Sequence, residues 1–154
     1  MKMVFDVAPK AVQSFRDAVT QGRDGKPRIL RYQTAETREF QKRIATGARL
    51  ALGPSFKPWD GPIHTRTVFV FEVPKRLAER FSLASASGVP LYVTGRPDLS
   101  DNLHKGFLDA LKGILYTDDA RIVWSESRKV YGVPARIEFE AELIGEAAEQ
   151  GELF

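Results

Sequence analysis

A chain of 154 residues with 43% hydrophobic and 28% charged side chains has the size and balance of a soluble globular protein built on one core, and no apolar run approaches the ~20 residues of a bilayer span. It contains no cysteine, which excludes disulfides and thiolate metal centres, fits a reducing cytoplasm and leaves oxygen or histidine as the ligands for any metal. The net charge of +3 is unevenly spread: residues 1–50 carry 11 Lys and Arg against 5 Asp and Glu, whereas residues 137–154 carry 6 Glu and no basic residue.

A basic arm of this kind suits a polyanion such as nucleic acid, because each phosphate contact releases condensed counterions. A solvated surface with an acidic tail accounts for the same charges. The opening Met1 to Asp6 places an acid where a secretory signal would continue its apolar segment, so a cytoplasmic protein is expected. No repeat or low-complexity linker divides the chain, which is read as one domain over 1–154 with an acidic tail at 145–154 that suits a frayed helix or a coil.

In chain order, the residues around Val4 read as a short strand. Ser14 to Arg31, punctuated by Gly22, Gly25 and Pro27, reads as an irregular loop. In that loop Arg16, Arg23, Lys26, Arg28 and Arg31 surround Phe15 and Tyr32, a mixture suited to a DNA backbone with occasional base stacking. Thr34 is placed to cap a helix in which Phe40, Ile44, Ala48 and Ala51 recur at helical spacing, ending near Gly53-Pro54.

Ile63, Thr65, Thr67, Phe69, Phe71 and Val73 then alternate with His64, Arg66, Val68, Val70 and Glu72, which predicts a β-strand. Leu77 and Phe81 predict a short helix, and Val89 to Thr94 another strand. Leu103, Phe107, Leu108, Leu111, Ile114 and Leu115 predict one face of a second long helix. Two closing strands, around Arg121 to Tyr131 and over Ile137 to Leu143, are joined by a short turn at Gly132 to Pro134. The class predicted is α+β, an antiparallel or mixed sheet with two main helices packed on it.

The segment Gly95 to Leu111 joins a strand to the second helix. Pro97 keeps Arg96 extended, so Ser100 or Asp101 is placed to cap the helix, and Asp98 and Asp101 cluster at its start. Asp101, Lys105 and Asp109 follow at intervals of four and share the face opposite Leu103, Phe107 and Leu111. A second acid pair, Asp118-Asp119, opens the next strand, and strand alternation allows one of the two to join a site shared with Asp98 and Asp101. Carboxylates that converge repel one another, and a hard divalent cation offsets that cost; Mg²⁺ is the natural candidate, with Mn²⁺ as a substitute. Taken singly, an Asp is better accounted for by helix capping or solvation, and it is the pattern as a whole that points to metal chemistry.

These residues resemble the RusA family of crossover-junction endodeoxyribonucleases, whose signature reads approximately P-D-x-D-N-L-x-K, then D-A-L-x-G, then D-D-x-Q-I/V. The chain gives Pro97-Asp98-Leu99-Ser100-Asp101-Asn102-Leu103-His104-Lys105, Asp109-Ala110-Leu111-Lys112-Gly113 and Asp118-Asp119-Ala120-Arg121-Ile122. Looser similarity covers Lys26-Pro27-Arg28-Ile29, Thr37-Arg38-Glu39-Phe40 and the late strand Lys129-Val130-Tyr131-Gly132. The resemblance implies that Asp98, Asp101 and Asp119 are catalytic, metal-binding acids, with Asp118 a further candidate, and that Lys105 is the essential basic residue. It also implies a homodimer acting on four-way DNA junctions, with Lys129 of the late strand added to the basic residues that meet DNA; Arg121 is a further candidate for that contact outside the family pattern.

Two departures stand out. The family has one residue between its first two acids, where Leu99 and Ser100 both intervene here, and Arg121 replaces the usual Gln, adding a phosphate contact or pointing to solvent. His64 and His104 have no histidine partner at metal-ligand spacing and are read as structural or solvated; a phosphate contact is the alternative for His104. Trp124 is expected in the core, and Gly106 to admit either DNA, a partner helix or close packing. No nucleotide-binding loop or nucleophile elbow is present. Two rivals keep part of this reading: a protein that binds branched DNA without cutting it, and a nuclease of the same chemistry acting on forks, flaps or RNA.

Overall fold

The computed structural model describes residues 1–12 and 16–145. Its sheet has four strands, β1 (Lys2–Phe5), β4 (Ile63–Phe71), β5 (Ile122–Tyr131) and β6 (Arg136–Leu143), and β2 (Arg16–Gln21) and β3 (Pro27–Tyr32) form a separate hairpin. The helices are α1 (Ala35–Leu52), α2 (Ala78–Ala86) and α3 (Lys105–Leu111), the last entered through a π-helical turn over Leu99–His104. The sheet order is β1-β6-β4-β5, with β4 antiparallel to β6 and parallel to β5. The sheet is therefore mixed and the class α+β, as the sequence predicts. No helix among the described residues is long and apolar enough to cross a membrane.

Alternation on β4 sets the layers. Thr65, Thr67 and Phe69 turn to one face and are buried, with Phe107 of α3 packed edge-on against Phe69, Phe5 and Phe139 at centroid distances of 6.0, 5.5 and 5.2 Å. Phe40, Ile44 and Ala48 bury the inner stripe of α1 in the same core. The Thr34 hydroxyl caps α1 by accepting from the Thr37 N–H at 3.2 Å, and Gly53, at φ 79°, ends it. On the opposite face His64 is buried between two acids, its Nδ1 2.9 Å from Glu142 and its Nε2 3.1 Å from Glu126. Trp124 stacks on that ring at 4.2 Å, yet is 57% exposed, so it covers His64 from solvent instead of joining the core as expected.

Four further elements differ from expectation. The described part of the anticipated loop is the β2–β3 hairpin, whose turn closes through Gly22 N–H to Lys26 C=O at 2.8 Å. It carries no buried apolar face, with Val19 and Ile29 both largely exposed, so the usual alternation signal is missing. The strands joined at Gly132 to Pro134 are not neighbours: β4 lies between β5 and β6, and Gly132 donates to the Phe71 carbonyl as the chain crosses the end of β4. A Cβ at Gly132 would stand 2.6 Å from Val70 Cγ1, so this crossing needs glycine. Residues Val89 to Thr94 contribute only a bridge from Tyr92 to Val130. The second long helix stops at Leu111, with Ile114 and Leu115 in the turn beyond it. Of the expected tail, 146–154 lies outside the described residues.

Candidate active site

The first acid pair is set by the way the chain enters α3. Val93 donates its N–H to the Lys129 carbonyl at 3.2 Å, and Tyr131 donates to the Leu91 carbonyl at 2.8 Å, so this stretch lies along β5. Lys129 Nζ then donates to the Gly95 and Pro97 carbonyls at 2.7 and 2.8 Å. Asp98, still extended, is the boundary residue of the π turn; its side chain makes no capping bond, and Asn102 Nδ2 approaches it only at 3.5 Å. The cap position thus falls at Asp98, ahead of the Ser100 or Asp101 expected.

In the π turn the Leu103 N–H reaches the Asp98 carbonyl and the Lys105 N–H reaches that of Ser100, each spanning five residues. A π turn holds one more residue than an α turn. It accommodates the additional residue between Asp98 and Asp101 while Leu103 and Phe107 keep their places in the core. Asp98, Asp101 and Lys105 are all left exposed. His104 turns inward, with Nε2 3.2 Å from Ser125 Oγ and 3.4 Å from Thr67 Oγ1. Burial lowers its pKa, which favours the neutral ring, and the contacts of Nε2 give it a structural role.

The second acid pair lies beyond the other end of α3. Asp118 caps a short 3₁₀ turn over Asp119–Arg121, accepting from the Ala120 N–H at 2.9 Å. Lys112 Nζ bridges Asp118 at 2.8 Å and Asp119 at 3.1 Å. The Lys112 ammonium, with the Ala120 N–H, holds the Asp118 carboxyl down at about 2. Asp109 moves the other way: burial raises its pKa, the Asp119 charge adds to that, and Lys105 and Lys112 oppose it. Tyr116 is raised by burial and by the charges of Asp119 and Asp109, and its hydroxyl donates to the Leu108 carbonyl. Asp109, Asp119, Lys105, Lys112 and Tyr116 therefore share one electrostatic neighbourhood along the polar side of α3.

Among the described residues, no three or more His, Cys, Asp or Glu side chains are gathered in a geometry that could hold a metal ion. The acids expected to converge do not form such a group, and the Lys112 ammonium sits on Asp118 and Asp119. Their donors are nonetheless all carboxylate oxygens, which fits a hard divalent cation and no soft one.

The basic residues divide by partner. Arg23, Lys26 and Arg28 lie on the exposed hairpin, where Arg28 pairs loosely with Asp24 at 3.4 Å, and Arg16 and Arg31 occupy its two strands. Arg121 pairs with Asp60 at 3.0 Å, and Asp60 also accepts from the Thr117 hydroxyl at 2.6 Å. Both contacts lower the Asp60 pKa, with the Thr117 bond the larger cause. Lys129 is committed to the two carbonyls already described. Asp60 and Lys112 carry no sequence signal for these roles: one lies in a turn-rich loop and the other at a variable place in the signature.

The fold and this arrangement define an α+β protein with a mixed sheet, paired acid groups at a helix start and a strand start, and a basic hairpin. The family model for Endodeoxyribonuclease RusA matches residues 6–142, and the chain belongs to that family of DNA endonucleases. No curated protein matches the chain.

Proposed function

We propose that this chain is a Mg²⁺-dependent endonuclease, with Mn²⁺ as a substitute, that resolves four-way DNA junctions by paired phosphodiester hydrolysis in recombination and repair. The observation that carries the reading is the family match together with exposed carboxylates at the signature positions, Asp98 and Asp101 before α3 and Asp119 after it. These three, with Asp118 in support, would hold the cation, which supplies Lewis-acid activation of water and of the phosphodiester. Lys105 leaves the polar face of α3 beside Asp109 and offsets charge on the phosphoryl oxygens. Lys112 holds one oxygen of Asp119 and so competes with a cation for that carboxylate.

The hairpin cations Arg23, Lys26 and Arg28, with Arg16 and Arg31 on its strands, supply backbone contacts that set the junction's position without reading sequence. A junction has approximate two-fold symmetry, and a homodimer with two identical sites matches its paired cuts.

A labelled synthetic four-way junction, incubated with and without Mg²⁺, tests the proposal. Symmetric paired nicks that require the metal are expected. Asp101→Asn and Asp119→Asn should each abolish nicking while leaving junction affinity in Ca²⁺ intact. Full activity in both variants would overturn the reading, and preferential cutting of forks, flaps or RNA would reassign the substrate.

A further inference from the structure

Main-chain pairing along β5 ends at Val93, and helical bonding resumes where Leu103 donates to Asp98. Between these points the chain carries Gly95 to Pro97 into the first acid. The Lys129 ammonium bridges this gap, donating to the Gly95 carbonyl at 2.7 Å and the Pro97 carbonyl at 2.8 Å. Both are short, charge-assisted bonds, and the side chain is half-buried. Its root is held as firmly as its tip, because Lys129 lies within β5, paired to Phe69 of β4.

We propose that Lys129 is a positioning residue: its ammonium clamps the loop ahead of Asp98, and so fixes the direction in which Asp98 and the π turn bearing Asp101 leave the sheet. The inference rests on the reading of those two acids as metal ligands. A lysine on a late strand of a nuclease invites the simpler role of phosphate contact, and the geometry argues against it. Two of its three N–H donors face the chain's own carbonyls, which leaves one for a phosphate, and a phosphate that drew the ammonium away would free the loop that carries the first acid.

The two roles separate by measurement. In Lys129→Met, amide exchange across 94–103 should rise at least about tenfold and Mg²⁺ binding by titration calorimetry should weaken. The slope of log affinity for junction DNA against log salt, measured in Ca²⁺, should stay at the wild-type value. A phosphate contact would instead leave exchange unchanged and reduce that slope by about 0.9, and this result overturns the proposal. Should the variant fail to fold, the wild-type protein decides: the ¹⁵Nζ signal of Lys129 should be protected from solvent exchange and unmoved by junction DNA in Ca²⁺. A signal that is unprotected or shifts with DNA refutes the clamp. Absence of nicking by the wild-type protein would defeat the functional reading, whereas exchange and the ammonium signal still decide the clamp.

Discussion

Replacing Gly106 by alanine sets two effects of opposite sign against each other. In an exposed helix the change stabilises by roughly 1 kcal/mol, because glycine loses more backbone entropy on folding. In α3 the new Cβ would lie 2.4 Å from Val12 Cβ and 2.9 and 3.0 Å from its two methyl carbons, far inside the ~3.5–4.0 Å at which carbon atoms attract. Val12 cannot easily yield: it is 2% exposed, its Cβ adjoins the backbone, and its N–H is bonded to the Asn102 carbonyl at 2.9 Å. Overpacking of this kind costs up to ~3 kcal/mol, so a net loss of about 2 kcal/mol is expected, a melting temperature lower by about 4–8 °C for a domain of this size.

Urea and thermal melts of Gly106→Ala measure the loss directly. Val12→Ala keeps the offending Cβ and should not rescue the variant, while Val12→Gly should show favourable coupling to it in a double-mutant cycle. A Gly106→Ala protein as stable as wild type, but weaker on DNA, would refute the argument and return Gly106 to the DNA surface.

Asp109→Asn should raise the melting temperature at pH 7 in EDTA, since burial and the Asp119 charge raise the Asp109 pKa and so disfavour its ionised form in the fold. That penalty appears only as pH rises through the raised pKa, so the gain should vanish below about pH 3.5; a gain unchanged in acid contradicts the cause. Lys112→Met should move the Asp118 carboxyl up from about 2, observable by carboxyl ¹³C titration, and should tighten Mg²⁺ binding by removing a competitor for Asp119. The stability that the depressed Asp118 contributes is present above the ordinary carboxylate range and is lost as pH falls toward 2, so the gap between wild type and Lys112→Met should close in that direction. Arg23→Ala and Arg28→Ala should each reduce the salt slope of junction binding by about 0.9 for every phosphate the arginine neutralises; unchanged slopes would remove the hairpin from the interface.

Local sequence was sufficient wherever the signal was local. Thr34 is a hydroxyl ahead of an amphipathic run, and it caps α1. The alternation from Ile63 to Phe71 is that of a strand with two unlike faces, and the stripe Leu103, Phe107, Leu111 is buried as its spacing predicts. The acids of the signature were legible as a pattern of residue types, and they fall at the start of a helix and the start of a strand. Trp124 shows where residue type misleads: a tryptophan expected in the core went to the surface as a cover for His64, whereas His104, read as structural or solvated, turned inward to Ser125.

The tertiary structure alone decided which elements meet. Nothing in a short turn reveals that β4 will lie between β5 and β6, because strand order depends on which edges remain open once the core closes. The π turn depends on keeping Leu103 in the core while an added residue is accommodated, a compromise between packing and backbone geometry that periodicity does not record. Lysine partners are equally nonlocal. Lys112 and Lys129 offer the same ammonium donors in the sequence, yet one bridges two carboxylates and the other holds two carbonyls, because the fold determines which acceptors a long, flexible side chain can reach.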